Sequence, residues 1–304
     1  MKKPILRTAV ITFWAAAMLI VPAQAQDNNF ADVKIETTDL GSGLYMMTGA
    51  GGNLGLSTGR DGAFLIDDQF APLSTKIKTA ISKVSTNPVR FLINTHWHYD
   101  HAGGNENFGT DGAIIVAHNN VRKRLSTDQF IKAFKREIKA SPAIARPIIT
   151  FTNEISFYQN AQNIHVFHVK NAHTDGDAMV YFEDADVLHM GDVLFNKMYP
   201  FIDTGSGGSI DGMIAAQERA LALITDDTKI IPGHGPLANK ADLQSNLAML
   251  KAVRRAVLKT IAEGKSEDEA VAADPLAALN AEWGNGFIKA EAMVRIVYGD
   301  LSKG

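Results

Sequence analysis

Asn94-Thr95-His96-Trp97-His98-Tyr99-Asp100-His101-Ala102-Gly103-Gly104 decides how this chain is read. It gathers three of the nine histidines of a 304-residue sequence, and one carboxylate, into six consecutive positions. The stretch follows Val89-Arg90-Phe91-Leu92-Ile93, an apolar run that reads as a buried strand. On extended backbone, side chains two apart share a side, so His96 and His98 are placed to bind one ion together. Asp100 and His101 fall where the strand breaks into a turn and serve a second position close by. Gly103 and Gly104 let the backbone turn tightly there. Imidazole with carboxylate suits zinc better than calcium or magnesium. A lone histidine is ordinarily a surface or structural residue, but four potential ligands at this spacing read as a metal site.

Working outward, three more donors follow apolar strands and precede loops, where a sheet edge presents functional groups. They are His173 in Asn171-Ala172-His173-Thr174-Asp175-Gly176, Asp192 in His189-Met190-Gly191-Asp192, and His234 between Gly233 and Gly235. His165, His168 and His189 lie in or beside strand patterns and read as structural, and so does His118. Trp97 reads as core, while Phe70, Tyr99, Phe195, Tyr199 and Phe201 are near enough in sequence to the donors for some to line a pocket. The Gly205-Ser206-Gly207-Gly208-Ser209 loop is either a binding wall or a connector ending in a helix N-cap.

Strand patterns cover 33–37, 44–48, 53–58, 63–66, 89–93, 113–117, 148–151, 155–158, 164–169, 178–182, 187–190 and 229–231. Helical patterns cover 72–84, 210–223, 241–262 and 287–298, and Ser266 with Glu269 forms a capping box for a short helix. Residues 121–145 are charged, helical in pattern and ended by Pro142 and Pro147, which leaves two readings, a lid over one edge or a connecting helix. No linker, repeat or low-complexity tract divides the chain, so a single domain is expected over 26–304.

The opening Met1-Lys2-Lys3-Pro4-Ile5-Leu6-Arg7 is basic, an apolar run follows from Ala9 to Val21, and Ala23-Gln24-Ala25 fits a small-x-small cleavage rule. These features predict a signal peptide over 1–25 and export to a bacterial periplasm, with no stable membrane insertion afterwards. Losing Lys2, Lys3 and Arg7 with the leader takes the formal charge from −3 to −6. A mildly acidic chain without a basic cluster argues against nucleic acid and for a small-molecule substrate. With zero cysteines, no thiolate ligates the metal and no disulfide braces the fold.

The ordered set Asp67, His96, His98, Asp100, His101, His173, Asp192 and His234 resembles the metallo-β-lactamase superfamily. The family pattern is an Asp at a strand end, then His-x-His-x-Asp-His, then a distant His, Asp and His. The resemblance covers nearly the whole chain beyond the leader and implies an α/β fold, a four-layer αββα sandwich with two zinc ions between the edges of its sheets. It implies that His96, His98 and His173 bind one zinc, that Asp100, His101 and His234 bind the other, and that Asp192 bridges them. Asp67 would orient the ligand loop by hydrogen bonds. Oxygen-reducing di-iron members carry a glutamate in place of the second histidine, and His98 does not match them.

Two zinc ions sharing a water bring its pKa toward neutrality and polarise a scissile carbonyl, so hydrolysis needs no serine or cysteine nucleophile. Asp100 doubles as a catalytic group that orients the attacking water or passes its proton on. Lactamases of one group put Cys at the bridging position with Lys three residues on to hold the drug carboxylate; here those residues are Asp192 and Phe195. A bridging Asp looks like glyoxalase II and lactonases. The expectation is an exported zinc hydrolase of an ester, thioester, lactone or lactam, with a β-lactamase as the alternative. A non-catalytic zinc-binding protein is a further alternative, which the intact ligand set disfavours, and phosphodiester cleavage lacks a supporting basic surface.

Overall fold

Strands, several of them buried on both faces, build two sheets. In the computed structural model, which describes residues 30–303, the first sheet has seven strands. They are β1 (Glu36–Gly41), β2 (Leu44–Thr48), β3 (Leu54–Ser57), β4 (Ala63–Ile66), β5 (Val89–Ile93), β6 (Ile114–His118) and, beyond a separate hairpin of β7 (Gln129–Ile131) and β8 (Arg136–Ile138), β9 (Ile149–Phe151). Strands β1 to β4 pair antiparallel, and β4, β5, β6 and β9 run parallel. The second sheet takes β10 (Glu154–Gln159), β11 (Gln162–His168), β12 (Ala178–Phe182), β13 (Val187–Phe195) and β14 (Lys229–His234) in that order, antiparallel except for the last pair. The predicted leader, residues 1–25, lies outside the described residues.

Side-chain alternation sorts the layers. Phe64 and Ile66 of β4 point between the sheets and meet Val166, Val180 and Phe182 of the second sheet. Leu65, between them in sequence, points the other way and packs with Ile77, Ile81 and Phe108. Those last three come from α1 (Ser74–Ile81) and, past the turn α2 (Tyr99–Ala102), from α3 (Asn105–Thr110). After α4 (Asn119–Leu125), the outer face of the second sheet is covered by α5 (Ile210–Leu223) and α6 (Lys240–Ala262), followed by α7 (Glu267–Ala272), α8 (Asn280–Trp283) and α9 (Ala290–Leu301). Leu188, Met190 and Leu194 pack there with Met213, Leu250, Val253 and Val294. The result is helices, sheet, sheet, helices, the αββα sandwich expected. No described helix is long and apolar enough to cross a membrane.

Four local expectations need correction. Residues 121–145 do not form one helix. Helix α4 stops at Leu125, and Asp128 then takes the Ala140 N–H and the Lys139 ammonium, closing the β7–β8 hairpin. Lys135 makes the reversal in left-handed backbone (φ 49°). The first strand begins at Glu36 rather than 33, with three residues separating it from a 3₁₀ turn at Phe30–Asp32. The strand ending at 190 by pattern continues to Phe195 through an irregularity at Gly191, whose φ of 52° breaks the register with β14. That kink turns Asp192 toward the other sheet's loops. The last helix begins at Ala290, so Phe287 lies in the loop before it.

Candidate metal centre

The segments after β5 and β11, the kink in β13 and the end of β14 bring all seven expected donors together. Donor atoms of His96, His98, His173 and Asp192 lie within 4.8 Å of one another, and so do those of Asp100, His101 and His234. Asp192 stands between the two groups. Its Oδ2 is 3.3 Å from His173 Nε2 and 3.7 Å from His96 Nε2, while its Oδ1 is 3.0 Å from His101 Nε2 and 3.4 Å from His234 Nε2. Asp100 Oδ2 lies 3.4 Å from His234 Nε2 and 3.8 Å from His101 Nε2. Backbone comes close on two sides: a Cβ on Gly233 would sit 2.1 Å from Asp192 Oδ1, and one on Gly52 2.1 Å from His101 Cε1.

The outward-facing ring nitrogens fix the tautomers. His173 Nδ1 lies 2.8 Å from the Phe201 carbonyl, which only accepts, so this nitrogen carries a proton. His98 Nε2 lies 3.0 Å from Asp203 Oδ2. Burial would raise the Asp203 carboxyl, but hydrogen bonds from His98 and Ser206 hold it near 2, so it is ionised and His98 Nε2 is the donor. His101 Nδ1 likewise donates to Asp67 Oδ2 at 2.7 Å. The inward-facing atoms of His173 and His98 are therefore lone pairs, His173 Nε2 and His98 Nδ1 facing each other at 2.9 Å, and they repel unless a cation lies between or beside them. His101 Nε2 faces His234 Nε2 at 3.4 Å. His96 Nε2 is buried and makes no hydrogen bond.

Charge points the same way. Burial and the neighbouring His101 push His96 well below its ordinary value, and burial takes His173 to about 4, so both rings are neutral lone-pair donors. Burial would raise Asp100, yet His101 and His234 hold it at about 2, and His101 and His234 likewise hold Asp192 well below the carboxylate range. Burial lowers His101 and His234, but Asp192 and Asp100 overcome it, driving His101 well up and His234 to about 9. The two carboxylates thus demand positive charge from whatever occupies the space between them. Neutral imidazoles and ionised carboxylates in this arrangement fit divalent metal ions.

Asp67 hydrogen-bonds into the loop that carries the donors. Fully buried in left-handed backbone (φ 59°), it accepts the Thr95 N–H and Oγ–H and the His101 Nδ1–H, each at 2.7 Å. Sequence reasoning missed Asp203, the Phe201 carbonyl and Thr95, whose Oγ1 is 3.1 Å from His96 Nδ1. Asp203 had no local signal: it lies 105 residues from the ring it holds. The remaining histidines are occupied elsewhere. His118 caps α4 and donates to Thr152 O while stacking on His168 at 3.9 Å, His165 pairs with Glu154, and His189 Nε2 bonds Asn53 O. Trp97 is core; Phe195 stacks on His234 at 4.9 Å, and Ser209 caps α5.

A family model described as the metallo-beta-lactamase superfamily matches residues 51–234. The chain belongs to this superfamily. Over 169 residues it is 27% identical to a hydroxyacylglutathione hydrolase of a Polaromonas species, a match covering 55% of this chain and 57% of that one. The chain thus spans little more than half the length of that relative. Among solved structures it is similar to a metallo-beta-lactamase from Pontibacter korlensis (TM-score 0.56, 22% identity, 72% of this chain and 99% of that one). It is also similar to a double mutant of the sec-alkyl sulfatase PisA1 (TM-score 0.67, 14% identity, 87% and 50%). These two likenesses establish the superfamily sandwich and no more.

Proposed function

We propose that this chain is an exported dinuclear zinc hydrolase that opens an ester, thioester, lactone or lactam bond. The observation that carries the reading is Asp192, whose two carboxylate oxygens face two separate groups of imidazoles. In this reading His96, His98 and His173 hold one zinc, Asp100, His101 and His234 hold the other, and Asp192 bridges them. Two such ions supply a water acidified toward neutral pH and polarise the carbonyl under attack. The chain's own residues do the rest. Asp67, Asp203 and the Phe201 carbonyl keep three rings in the tautomer that offers a lone pair inward. Asp100 lines the cavity, where it would orient the attacking water by a hydrogen bond or pass its proton to the leaving group. Export rests on the basic, apolar, small-residue pattern over 1–25.

The name of the Polaromonas relative favours a thioester or ester substrate, and a lactam is the second reading. The test is hydrolysis of a chromogenic cephalosporin by zinc-loaded protein beginning at Gln26, with and without chelator. Chelator-sensitive turnover at kcat/KM of about 10⁴ M⁻¹s⁻¹ or more, within the ordinary enzyme range, selects the lactamase reading. Two bound zinc ions without turnover direct the assay to lactones and thioesters. Asp192→Ala should lose activity and part of its zinc; unchanged activity would refute the bridging role.

A further inference from the structure

A cavity of about 600 Å³ opens onto the donor set, a size that takes a small-molecule substrate. Its walls are rings from segments far apart in the chain. Phe30 packs on Phe70 at 5.1 Å and Phe70 on Tyr99 at 5.5 Å, forming one wall. Phe134, from the β7–β8 hairpin, packs on Phe201 at 4.8 Å, and Phe201 reaches His98 at 5.9 Å. Phe287 closes a third side against His234 at 5.8 Å. Phe134 and Phe287 remain 43% and 53% exposed, a cost that a cavity-rim role explains.

Charge is as telling as shape. Among the described residues no lysine or arginine lines the cavity. Its carboxylates, Asp100 and Asp192, and the imidazoles that reach it, His98 and His234, all belong to the donor set. A pocket that selects a carboxylate-bearing substrate ordinarily does so with a guanidinium or ammonium. Arg136 stacks its guanidinium 3.8 Å from the centre of the ring of Tyr99, a lining residue.

We infer that the substrates are uncharged esters or lactones carrying an apolar chain, which lies among Phe70, Phe134, Phe201 and Phe287 while the reacting carbonyl meets the donor set. This inference rests on the hydrolase reading above. It disfavours substrates with an anionic tail, glutathione thioesters and carboxylated lactams included.

The experiment compares p-nitrophenyl acetate, butyrate and hexanoate with the mono-p-nitrophenyl ester of adipic acid, using zinc-loaded protein with and without chelator. Acetates of butanol and hexanol cover placement of the chain on the alcohol side. A methylene buried from water is worth about fourfold, so hexanoate, or hexyl acetate, should exceed its short homologue at least tenfold in kcat/KM. The adipate ester, which must bury a charge on the same length of chain, should fall about a hundredfold below hexanoate. Phe134→Ala and Phe287→Ala should each cut the long-to-short ratio several-fold. Chelator-sensitive hydrolysis with both series flat overturns the inference and leaves the hydrolase reading standing. A preference for the adipate ester that Arg136→Gln abolishes also overturns it, because the rim would then read a carboxylate. No chelator-sensitive hydrolysis of any ester overturns both.

Discussion

Replacing Asp67 by Asn isolates one hydrogen-bond acceptor requirement at the candidate metal centre. The swap keeps size, and Asn tolerates left-handed backbone as Asp does, so φ of 59° adds little new strain. What changes is that one acceptor oxygen becomes an NH₂ donor. If the NH₂ takes the place of Oδ1, it confronts the Thr95 N–H, donor against donor. If it takes the place of Oδ2, it confronts the His101 Nδ1–H, and the ring relieves the clash only by moving its proton to Nε2. Nε2 is the atom that faces Asp192 and His234, so the relieved ring no longer offers a lone pair inward. Losing an outer partner of a ligating histidine costs about 10–100-fold in metal affinity, or about 1.4–2.7 kcal/mol. The loss should fall on the ion proposed for Asp100, His101 and His234, and leave the other nearly intact. Competition titration against a fluorescent chelator reads both affinities. Asp67→Asn protein that binds two zinc ions with wild-type affinities would refute the tautomer argument.

The same logic predicts the opposite site preference for Asp203→Asn. Its amide cannot hold the His98 Nε2–H as the ionised carboxylate does, so the same titration should show the ion of His96, His98 and His173 weakened by about tenfold or more. Asp177 makes stability pH-dependent. Burial, opposed by hydrogen bonds from Thr174, raises its carboxyl from 3.8 to about 8, so the folded state binds the proton more tightly than the unfolded chain. The native advantage is whole below pH 4 and declines as pH rises to about 8. Melting temperature should fall over that window in wild type, and Asp177→Asn should flatten the decline; an unchanged slope would remove Asp177 as its source.

The layers and most of the donor set were legible because both follow local rules. Apolar runs mark β4 and β5, and strand ends followed by His or Asp mark the loops where donors converge. Departures came where a tertiary requirement overrode a local one. By pattern β13 ended at Met190, since a glycine followed by an acid reads as a turn, but pairing with β14 carries the strand on to Phe195. The helical pattern over 121–145 failed because spacing of apolar residues does not register the Asp128 side chain folding back on Ala140.

The centre itself divides the same way, and the division has a chemical consequence. Its inward donors are named by spacing, whereas the groups that hold the rings are set by contact across the fold: Asp203 on His98, Phe201 O on His173. The Phe134–Phe201 and Phe287–His234 ring pairs are equally non-local. A sequence pattern therefore announces metal chemistry long before it announces selectivity. Phe201 joins the two, since its carbonyl fixes the His173 tautomer while its ring walls the cavity. Replacing that ring by Ala leaves the carbonyl in place, so selectivity and metal affinity are separable at a single residue. The long-chain preference should fall while both zinc affinities hold, and a parallel loss of zinc would mean that the ring, not only the carbonyl, keeps His173 in position.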